Sequence, residues 1–274
     1  MATPSLDERL YKEYMDFFVK SERERRWHVI DDIPWDKLNK DISEEAALCA
    51  ETFLRVEMFL PDYIAGGLNA VRPYFGSLWF QANWGYEESK HSLVLMEYLM
   101  RSGKRTPEQI FDLQQKTFAQ KWLAPFKTAR QMTIYGALQE MATFFIYCRQ
   151  REVAKEKEKD LCLWQIYDLI GRDEIAHTRF YQSVVKVLLD EDREGTLTDL
   201  AIVARDFRMP AEDLIEDYEQ RIAVMRETGA IDRNMFLQKV YFPVLKFLGV
   251  SRVEMARALR SNKQTIGEAA PTQV

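Results

Sequence analysis

Glycine and proline are scarce in this chain of 274 residues, which contains 11 of the first and 9 of the second. Their combined share is well below the usual value of about 12%. Architectures built on many tight turns need both residues, because glycine supplies positive φ angles and proline fixes negative ones. The scarcity therefore excludes a turn-rich all-β fold and long disordered linkers, and it favours long helices.

Cysteines and long apolar runs are also few. The three cysteines, Cys49, Cys148 and Cys162, are odd in number and lack metal-site spacing, which indicates free thiols in a reducing compartment. No apolar stretch approaches the roughly 18 to 20 residues that span a bilayer. The N-terminus is acidic and amphipathic, unlike a signal peptide. Together these features predict a cytoplasmic protein without a transmembrane segment.

The charge balance argues against a nucleic-acid partner. Lysine and arginine number 38 and aspartate and glutamate 43, which leaves a net charge of -5. A nucleic-acid surface needs a sustained basic stripe, and this chain has none. Local basic clusters, such as the one at residues 20–26, remain available for contact with an acidic protein.

Apolar side chains recur with a period near 3.6 in long segments, which predicts about eight to ten helices. The long helices are expected at about residues 6–25, 43–60, 74–100, 128–152 and 159–190. Shorter helices are expected up to about residue 260. Since no low-complexity linker divides the chain, we predict one domain over residues 1–260 and a flexible tail over residues 261–274.

Two helix starts carry specific signals. Ser43 can cap the second helix, which approaches Pro61, a residue that either ends or kinks it. Thr106, Pro107 and Gln109 supply a cap residue, a first-turn proline and the partner of a capping box. The second of these signals strongly predicts a helix that begins at Thr106.

The chain has only three histidines, and two of them follow a glutamate by three residues. Glu88 precedes His91 and Glu174 precedes His177, each pair inside a predicted helix. Residues three apart lie on one helix face, so a carboxylate and an imidazole can reach the same metal ion. A two-metal site in a helical bundle needs one further glutamate from each of two other helices.

Glu57 and Glu140 are the candidates for these two carboxylates, because each lies on an otherwise apolar helix face. An unpaired buried glutamate costs several kcal/mol unless a positive charge neutralises it. A metal ion would do so. The alternative is an ion pair with a nearby arginine, Arg55 for Glu57 and Arg149 for Glu140.

The spacing of these residues is consistent with one bundle. Glu57 and Glu88 are 31 residues apart and Glu140 and Glu174 are 34 apart, each about half a helix, a loop and half an antiparallel helix. The longer interval between the two halves accommodates the helix that begins at Thr106, as a crossover does in ferritin-like bundles. We therefore predict an all-α, ferritin-like four-helix di-iron carboxylate bundle with additional flanking helices. Mixed carboxylate and imidazole ligands suit iron or manganese better than structural zinc.

Four segments of the chain resemble the signature segments of the soluble acyl-(acyl carrier protein) desaturases. They are EMFLPDY at residues 57–63, WGYEESKHS at 84–92, LQEMATF at 138–144 and DEIAHTRFY at 173–181. The likeness extends from about residue 27 to about residue 250. The order and spacing of the four segments make it specific, and the length is closer to the bacterial members than to the plant enzymes.

The resemblance implies a homodimer in which each chain holds two iron ions, with manganese suiting the same ligands. It implies an enzyme that uses O2 and electrons from a ferredoxin-type partner to remove two hydrogens from a fatty acyl chain on acyl carrier protein. By this resemblance the six metal ligands are Glu57, Glu88, His91, Glu140, Glu174 and His177. The resemblance also implies that Glu88 and Glu174 bridge the two ions.

Three further residues match family positions near the metals. Thr143 matches a threonine associated with oxygen activation, and Asp173 and Trp27 match an aspartate and a tryptophan proposed as an electron route. Each has a structural alternative, since a helical threonine often bonds to its own backbone and Trp27 can serve as core packing.

The chain departs from the family at Ser89 and Lys90, where many relatives have Asn and Arg, and at Met141, where they have Arg. We expect these three side chains to face away from the metals.

An acyl channel beside the metals would need apolar walls. Large apolar side chains can line such a channel or, alternatively, pack in the core. The candidate residues are Met58, Tyr63, Met96, Tyr98, Phe144 and Phe145.

Two other functions remain open. The same centre could hydroxylate or otherwise oxygenate an acyl group of a specialised pathway, presented on a carrier protein or on coenzyme A. The chain could instead be a non-enzymatic ferritin-like protein that binds metal or lipid.

Overall fold

The computed structural model describes residues 4–227 and 232–268, with side chains described as far as residue 260. Within these ranges the chain is helical and contains no strand. The helices are α1 (Leu6–Glu24), α2 (Glu44–Glu57), α3 (Leu60–Ala70), α4 (Phe75–Arg101), α5 (Pro107–Phe118), α6 (Ala129–Glu156), α7 (Leu161–Glu191), α8 (Arg193–Asp206), α9 (Tyr218–Glu227), α10 (Arg233–Met235), a π-helical turn (Phe236–Tyr241), α11 (Phe242–Leu248) and α12 (Arg252–Glu268). A 3-10 turn covers Trp35–Lys37.

The predicted helix starts are confirmed. The Ser43 hydroxyl accepts a hydrogen bond from the backbone N–H of Ala46, and Thr106 and Gln109 form a reciprocal capping box. Pro61 does not merely kink α2. The helix ends at Glu57, and Pro61 lies in the first turn of the separate helix α3, where its missing N–H has no partner to lose.

Four helices form the bundle that surrounds the candidate site. Helix α6 packs along α7, α2 packs along α4, and α4 also contacts α7. Helix α1 covers this bundle by packing on both α4 and α7. The predicted ferritin-like, all-α class is therefore correct.

Two apolar clusters border the site and exclude water from it. One lies among α2, α4, α6 and α7 and includes Leu54, Leu95 and Ile166. The other joins α1, α4 and α7, where the rings of Phe80 and Phe180 stack with their centroids 3.5 Å apart. Dry walls of this kind strengthen any electrostatic interaction between the groups they enclose.

All three cysteines are free, as predicted. Cys49 and Cys162 are buried, and burial raises the pKa of each thiol to about 12.

Among the residues that the structure describes, no helix has the length and apolar character to cross a bilayer. Helix α12 continues as far as Glu268, inside the segment predicted as a tail, and residues 269–274 lie outside the described residues.

Candidate metal centre

The bundle helices bring the six predicted ligands together. Glu57 is the last residue of α2, and Glu140 lies in the middle of α6. Helix α4 contributes Glu88 and His91, and helix α7 contributes Glu174 and His177. All six side chains are buried, both histidines completely.

The ligand atoms form two overlapping groups. One consists of Glu57, Glu88, His91 and Glu174, and the other of Glu88, Glu140, Glu174 and His177. Within each group one potential ligand atom per residue lies within 4.8 Å of all the others. Glu88 and Glu174 belong to both groups, so these two carboxylates can bridge two ions. We refer to the two groups as the His91 position and the His177 position.

Both imidazoles present the same nitrogen to the centre. Nδ1 of His91 lies 3.1 Å from Oε2 of Glu88 and 3.6 Å from Oε1 of Glu174. Nδ1 of His177 lies 3.0 Å from Oε1 of Glu88, and 3.4 Å from Oε2 of Glu140. Nε2 of each ring consequently faces outward.

The inward atoms are buried without hydrogen-bond partners. They are Nδ1 of His91 and His177, Oε1 of Glu88, Oε2 of Glu140 and Oε2 of Glu174. Polar atoms buried in this state cost free energy unless another group satisfies them. Because all these atoms face one small volume, the residues fit a metal centre.

The electrostatics of the cluster support this interpretation. Burial and the neighbouring Glu88 raise the pKa of Glu57 to about 8, and burial raises the pKa of Glu174 well above its usual range. Burial alone would also raise the pKa of Glu88, but His91 and His177 outweigh it and lower that pKa to about 2. Four carboxylates and two neutral imidazoles match the charge of two divalent cations.

Glu57 and Glu140 each accept a hydrogen bond from an aromatic side chain. Glu57 accepts a hydrogen bond from the Tyr147 hydroxyl at 3.1 Å, whereas the Arg55 guanidinium donates to the carbonyl oxygen of Glu216. Glu140 accepts a hydrogen bond from Nε1 of Trp84 at 3.1 Å. Both carboxylates therefore face the centre.

The outward nitrogen of each histidine meets a carboxylate from the opposite helix. Nε2 of His91 lies 3.4 Å from Oδ2 of Asp173 on α7, and Nε2 of His177 lies 2.7 Å from Oε2 of Glu87 on α4. A carboxylate in this position holds the imidazole so that the other nitrogen is free for metal. The two carboxylate–histidine pairs thus cross between α4 and α7.

Glu87 is a site residue that the sequence reasoning missed. A signal was available, because the glutamate of each E-x-x-H pair directly follows another acidic residue, Glu87 before Glu88 and Asp173 before Glu174. Burial would raise the pKa of Glu87, but His177 and Arg25 outweigh it and hold the pKa below its usual range.

Trp27 and Asp173 are in direct contact beside the predicted ligand His91. The buried Nε1 of Trp27 donates a hydrogen bond to Oδ2 of Asp173 at 2.8 Å, and the same oxygen faces His91. A chain of contacts therefore joins Trp27 to the His91 position.

Thr143 and Glu140 both line this part of the site. The Thr143 hydroxyl donates to the carbonyl oxygen of Gln139 and accepts from Nε2 of Gln139, each at 2.9 Å. The backbone bond that was considered as the alternative is therefore present.

The expectation that Lys90 faces away from the metals needs correction. Lys90 is buried, with its Nζ 4.6 Å from the centroid of the Trp27 ring and 3.9 Å from Oδ2 of Asp173. It therefore lies beside the carboxylate that holds His91. Ser89, by contrast, bonds to the carbonyl oxygen of Tyr86 on its own helix.

A narrow, mainly apolar cavity passes along the cluster. Glu57, Glu88, Glu140 and Glu174 form part of its wall. Most of the remaining wall is apolar, including Phe53, Val56, Trp122, Tyr135, Ile146, Ile222 and Met225. The cavity could therefore hold an apolar chain against the metal-binding side.

Of the residues predicted to line a channel, Tyr63 does so. Met58, Met96, Tyr98, Phe144 and Phe145 are not among the lining residues. Met58 and Tyr98 belong to the buried core between the bundle helices, against which Met96 also packs. Phe144 and Phe145 contact each other. Core packing, the alternative considered for them, is therefore the use of Met58, Met96 and Tyr98, and Phe145 packs against a second buried cluster.

A four-helix bundle with two carboxylate–histidine sets that share two glutamates defines the ferritin-like class of two-metal carboxylate proteins. Comparison with known families shows which family within this class the chain belongs to. The model of the family described as fatty acid desaturase matches residues 69–266, well over half of the chain. The chain belongs to this family, as the four segments suggested.

The curated relatives of this chain include plant enzymes. Stearoyl-(acyl-carrier-protein) 9-desaturase 5 of Arabidopsis thaliana is 28% identical over 232 residues, which are 84% of this chain and 57% of that protein. The seed-specific stearoyl-(acyl-carrier-protein) 9-desaturase of Brassica napus is 29% identical over 249 residues, 88% of this chain and 59% of that protein. The chain therefore spans less than two thirds of the length of these relatives.

Solved structures share the fold. DesA2 of Mycobacterium tuberculosis, described as a candidate acyl-ACP desaturase, has a TM-score of 0.69 at 18% identity and covers 93% of this chain and 100% of its own. A variant of an R2-like ligand-binding oxidase with a reconstituted Mn/Fe cofactor has a TM-score of 0.58 at 16% identity, covering 92% and 97%. At these identities the matches support the ferritin-like fold.

Proposed function

We propose that this chain is a di-iron, O2-dependent desaturase that introduces a double bond into a fatty acyl chain carried by acyl carrier protein. One observation carries the proposal: an apolar cavity passes directly along the buried carboxylate–histidine cluster. Desaturation needs this juxtaposition, because a featureless hydrocarbon has to be held against an oxidising centre. The family match and the stearoyl-carrier-protein relatives support the same reaction.

The six predicted ligands would hold the two ions. Glu57 and His91 would bind one ion and Glu140 and His177 the other, through Nδ1 of each imidazole. Glu88 and Glu174 would bridge them. Two iron ions in this ligand set would supply the electrons and the oxidising power for chemistry with O2, which no side chain of the chain can supply.

The protein's own contribution is binding and orientation. The walls of the cavity exclude water and restrict an extended acyl chain to one path past the glutamates. With the thioester held at the surface, the distance along this path would determine which carbon atoms reach the centre.

Trp27, Asp173 and Thr143 would assist from outside the ligand set. The contacts from Trp27 through Asp173 to His91 offer a route for electrons from a ferredoxin-type donor. The Thr143 hydroxyl, one turn from Glu140, is placed to give or take a proton at Oγ1 in the cavity if its bond to the Gln139 carbonyl opens.

The direct test uses purified, iron-loaded protein supplied with a ferredoxin reducing system, O2 and stearoyl carrier protein. Mass spectrometry of the released acyl chain should show the loss of two hydrogen atoms, and the protein should contain two iron ions per chain. The gain of one oxygen atom would instead identify the hydroxylase alternative. Iron-loaded protein that leaves the acyl chain unchanged would contradict the proposal. Parallel loading with manganese compares the two metals that suit this site.

The outer face of α4 supports the predicted homodimer. Between Phe75 and Leu93 every exposed position of α4 is apolar, namely Phe75, Trp79, Ala82, Tyr86 and Leu93. The four large side chains are 46% to 57% exposed, and successive positions are four, three, four and seven residues apart. This is the heptad spacing of a helix-packing seam.

We propose that a second copy of this chain covers this stripe. A stripe without charge is compatible with itself across a two-fold axis, whereas an acidic carrier protein or ferredoxin would require basic residues. Ala82, near the middle of the stripe, would allow two α4 helices to approach closely where they cross.

Trp79→Glu is therefore expected to raise the dimer dissociation constant at least about 100-fold, since two like charges would meet across the axis at a cost of several kcal/mol. Sedimentation velocity measures the change. Phe111→Glu, at an exposed phenylalanine of α5, is the matched control and should leave the dimer intact. A wild-type monomer, or a dimer that tolerates Trp79→Glu, would disprove this interface.

A further inference from the structure

The C-terminal end of α1 brings two arginines to the back of the metal centre. Arg25 and Arg26 follow the last helical residue of α1 and directly precede Trp27. Their guanidinium groups face Glu87 and Asp173, the carboxylates behind the two histidines. The side chains of both carboxylates are only 1% exposed.

Arg25 contacts both of these carboxylates. One of its terminal nitrogens bonds to Oδ1 of Asp173, and the other lies 3.0 Å from Oε2 of Glu87. The second nitrogen also bonds to the Ser21 hydroxyl at 2.5 Å, which holds the guanidinium against α1. A planar guanidinium has the fork of donors that such a bridge requires.

Arg26 differs in its contacts. It bonds to Oε1 of Glu87, to Oδ1 of Asn83 at 3.1 Å, and to Glu22 of its own helix. Of the two carboxylates behind the histidines, Arg26 thus bonds to Glu87. The two arginines are adjacent in sequence and equal in charge, so Arg26 provides an internal comparison for the bridge.

Two histidines on different helices are therefore linked through one side chain. Asp173 holds His91 and Glu87 holds His177, and Arg25 is bonded to both acceptors. A carboxylate that is free to rotate in a dry site loses the direction of its hydrogen bond to the imidazole, and the ring then loses its fixed orientation toward the metal.

We propose that Arg25 is a positioning residue that orients the ligand histidines of both metal positions together, through Asp173 and Glu87. The proposal rests on the two-metal centre proposed above, but not on the reaction that this centre performs. Its consequence is that α1, which contributes no ligand, controls the affinity for both ions.

Co2+ is a suitable probe, because its visible absorption reports binding to the metal-free protein without any turnover. Glu57→Ala removes a ligand of the His91 position alone, and Glu140→Ala removes a ligand of the His177 position alone. Titration of each of these two variants therefore measures the affinity of the position that remains.

Arg25→Gln is expected to weaken Co2+ binding in both backgrounds, by up to the roughly tenfold to hundredfold loss that is typical when a group that directly holds a ligand is lost. Arg26→Gln should weaken Co2+ binding only in the Glu57→Ala background, which retains the intact His177 position. Arg25→Lys keeps the charge but has no fork of donors, so it should recover part of the affinity at most.

Circular dichroism and thermal unfolding of each metal-free variant check the fold. Should Arg25→Gln fail to fold, Arg25→Lys carries the same comparison of the two positions. An effect at one position alone, or none at either position in a folded variant, would refute the bridging role. A wild-type protein that fails to bind two Co2+ ions would instead refute the metal centre itself, and binding without desaturation would refute only the proposed reaction.

Discussion

Replacing Glu174 by glutamine is expected to remove both metal ions at once and to abolish desaturation. Glu174 belongs to both ligand groups, so its replacement removes a negatively charged ligand from both metal positions. Glu57→Gln, by contrast, removes a ligand of the His91 position alone and should leave about one ion per chain. Metal analysis of purified, iron-loaded variants measures this difference between shared and unshared ligands.

In the metal-free protein, the same substitution should raise the free energy of unfolding. Burial and the neighbouring carboxylates raise the pKa of Glu174 well above its usual range, which shows that the fold accommodates its charge poorly without a cation. A carboxyl group whose pKa is raised in the folded protein lowers the free energy of unfolding at neutral pH, by about 1.4 kcal/mol for each pH unit by which the pKa rises, because the unfolded chain carries the group ionised; glutamine removes this loss. Chemical denaturation of metal-free Glu174→Gln should show such a gain in the free energy of unfolding.

Two results would contradict this account of the centre. One is a Glu174→Gln variant that keeps a full complement of two ions. The other is a metal-free variant less stable than the metal-free wild type, which would mean that Glu174 stabilises the fold rather than binding metal. Conserved secondary structure by circular dichroism is the control for both measurements.

Gly136→Ala is expected to lower the turnover of stearoyl carrier protein about tenfold to a hundredfold while two iron ions remain bound. Gly136 lines the cavity one helical turn before Glu140. A Cβ atom at this position would lie 2.7 Å from Cζ of Tyr181, another lining residue, so the tyrosine ring would have to shift. A displacement of about 1 Å next to a reacting chain costs up to a hundredfold in rate.

Gly66→Ala is the matched control. A Cβ at Gly66 would lie 3.5 Å from Trp122, an ordinary contact, in helix α3. Its turnover should equal that of the wild type. Combining Gly136→Ala with Tyr181→Leu should restore part of the lost turnover, because leucine leaves room for the new methyl group. Unchanged turnover of Gly136→Ala would show that the acyl chain does not use this part of the cavity.

Spacing alone located the helices that carry the site. The local 3.6-residue period can be read directly from the sequence. It accounts for the two E-x-x-H pairs, the capping signals at Ser43 and Thr106, and the glutamates on apolar helix faces. The end of α2 at Glu57 was harder to predict from the sequence. Pro61 indicated an interruption, but not that α2 ends four residues earlier and leaves Glu57 at its last turn.

Contacts between helices account for what the sequence reasoning missed. Lys90 follows the pattern of an outward residue on α4, yet Trp27 from the segment after α1 covers it. The expected channel residues were large and apolar, but only the packing of α2 against α4 decides that Met58 and Tyr98 lie in the core. Side chains of the same type are used in cores and in cavity walls, so composition cannot distinguish the two uses.

The sequence by itself determined the helical class, the family and the six residues that converge, because periodicity and chemical type are properties of the chain. Only the tertiary structure decided that Glu87 and Asp173 cross to the opposite histidines and that Arg25 joins them. These contacts join residues separated by 62 to 148 positions. The direction of such a hydrogen bond is set by how α1, α4 and α7 pack, and helix packing is a property of the surfaces that meet rather than of either segment alone.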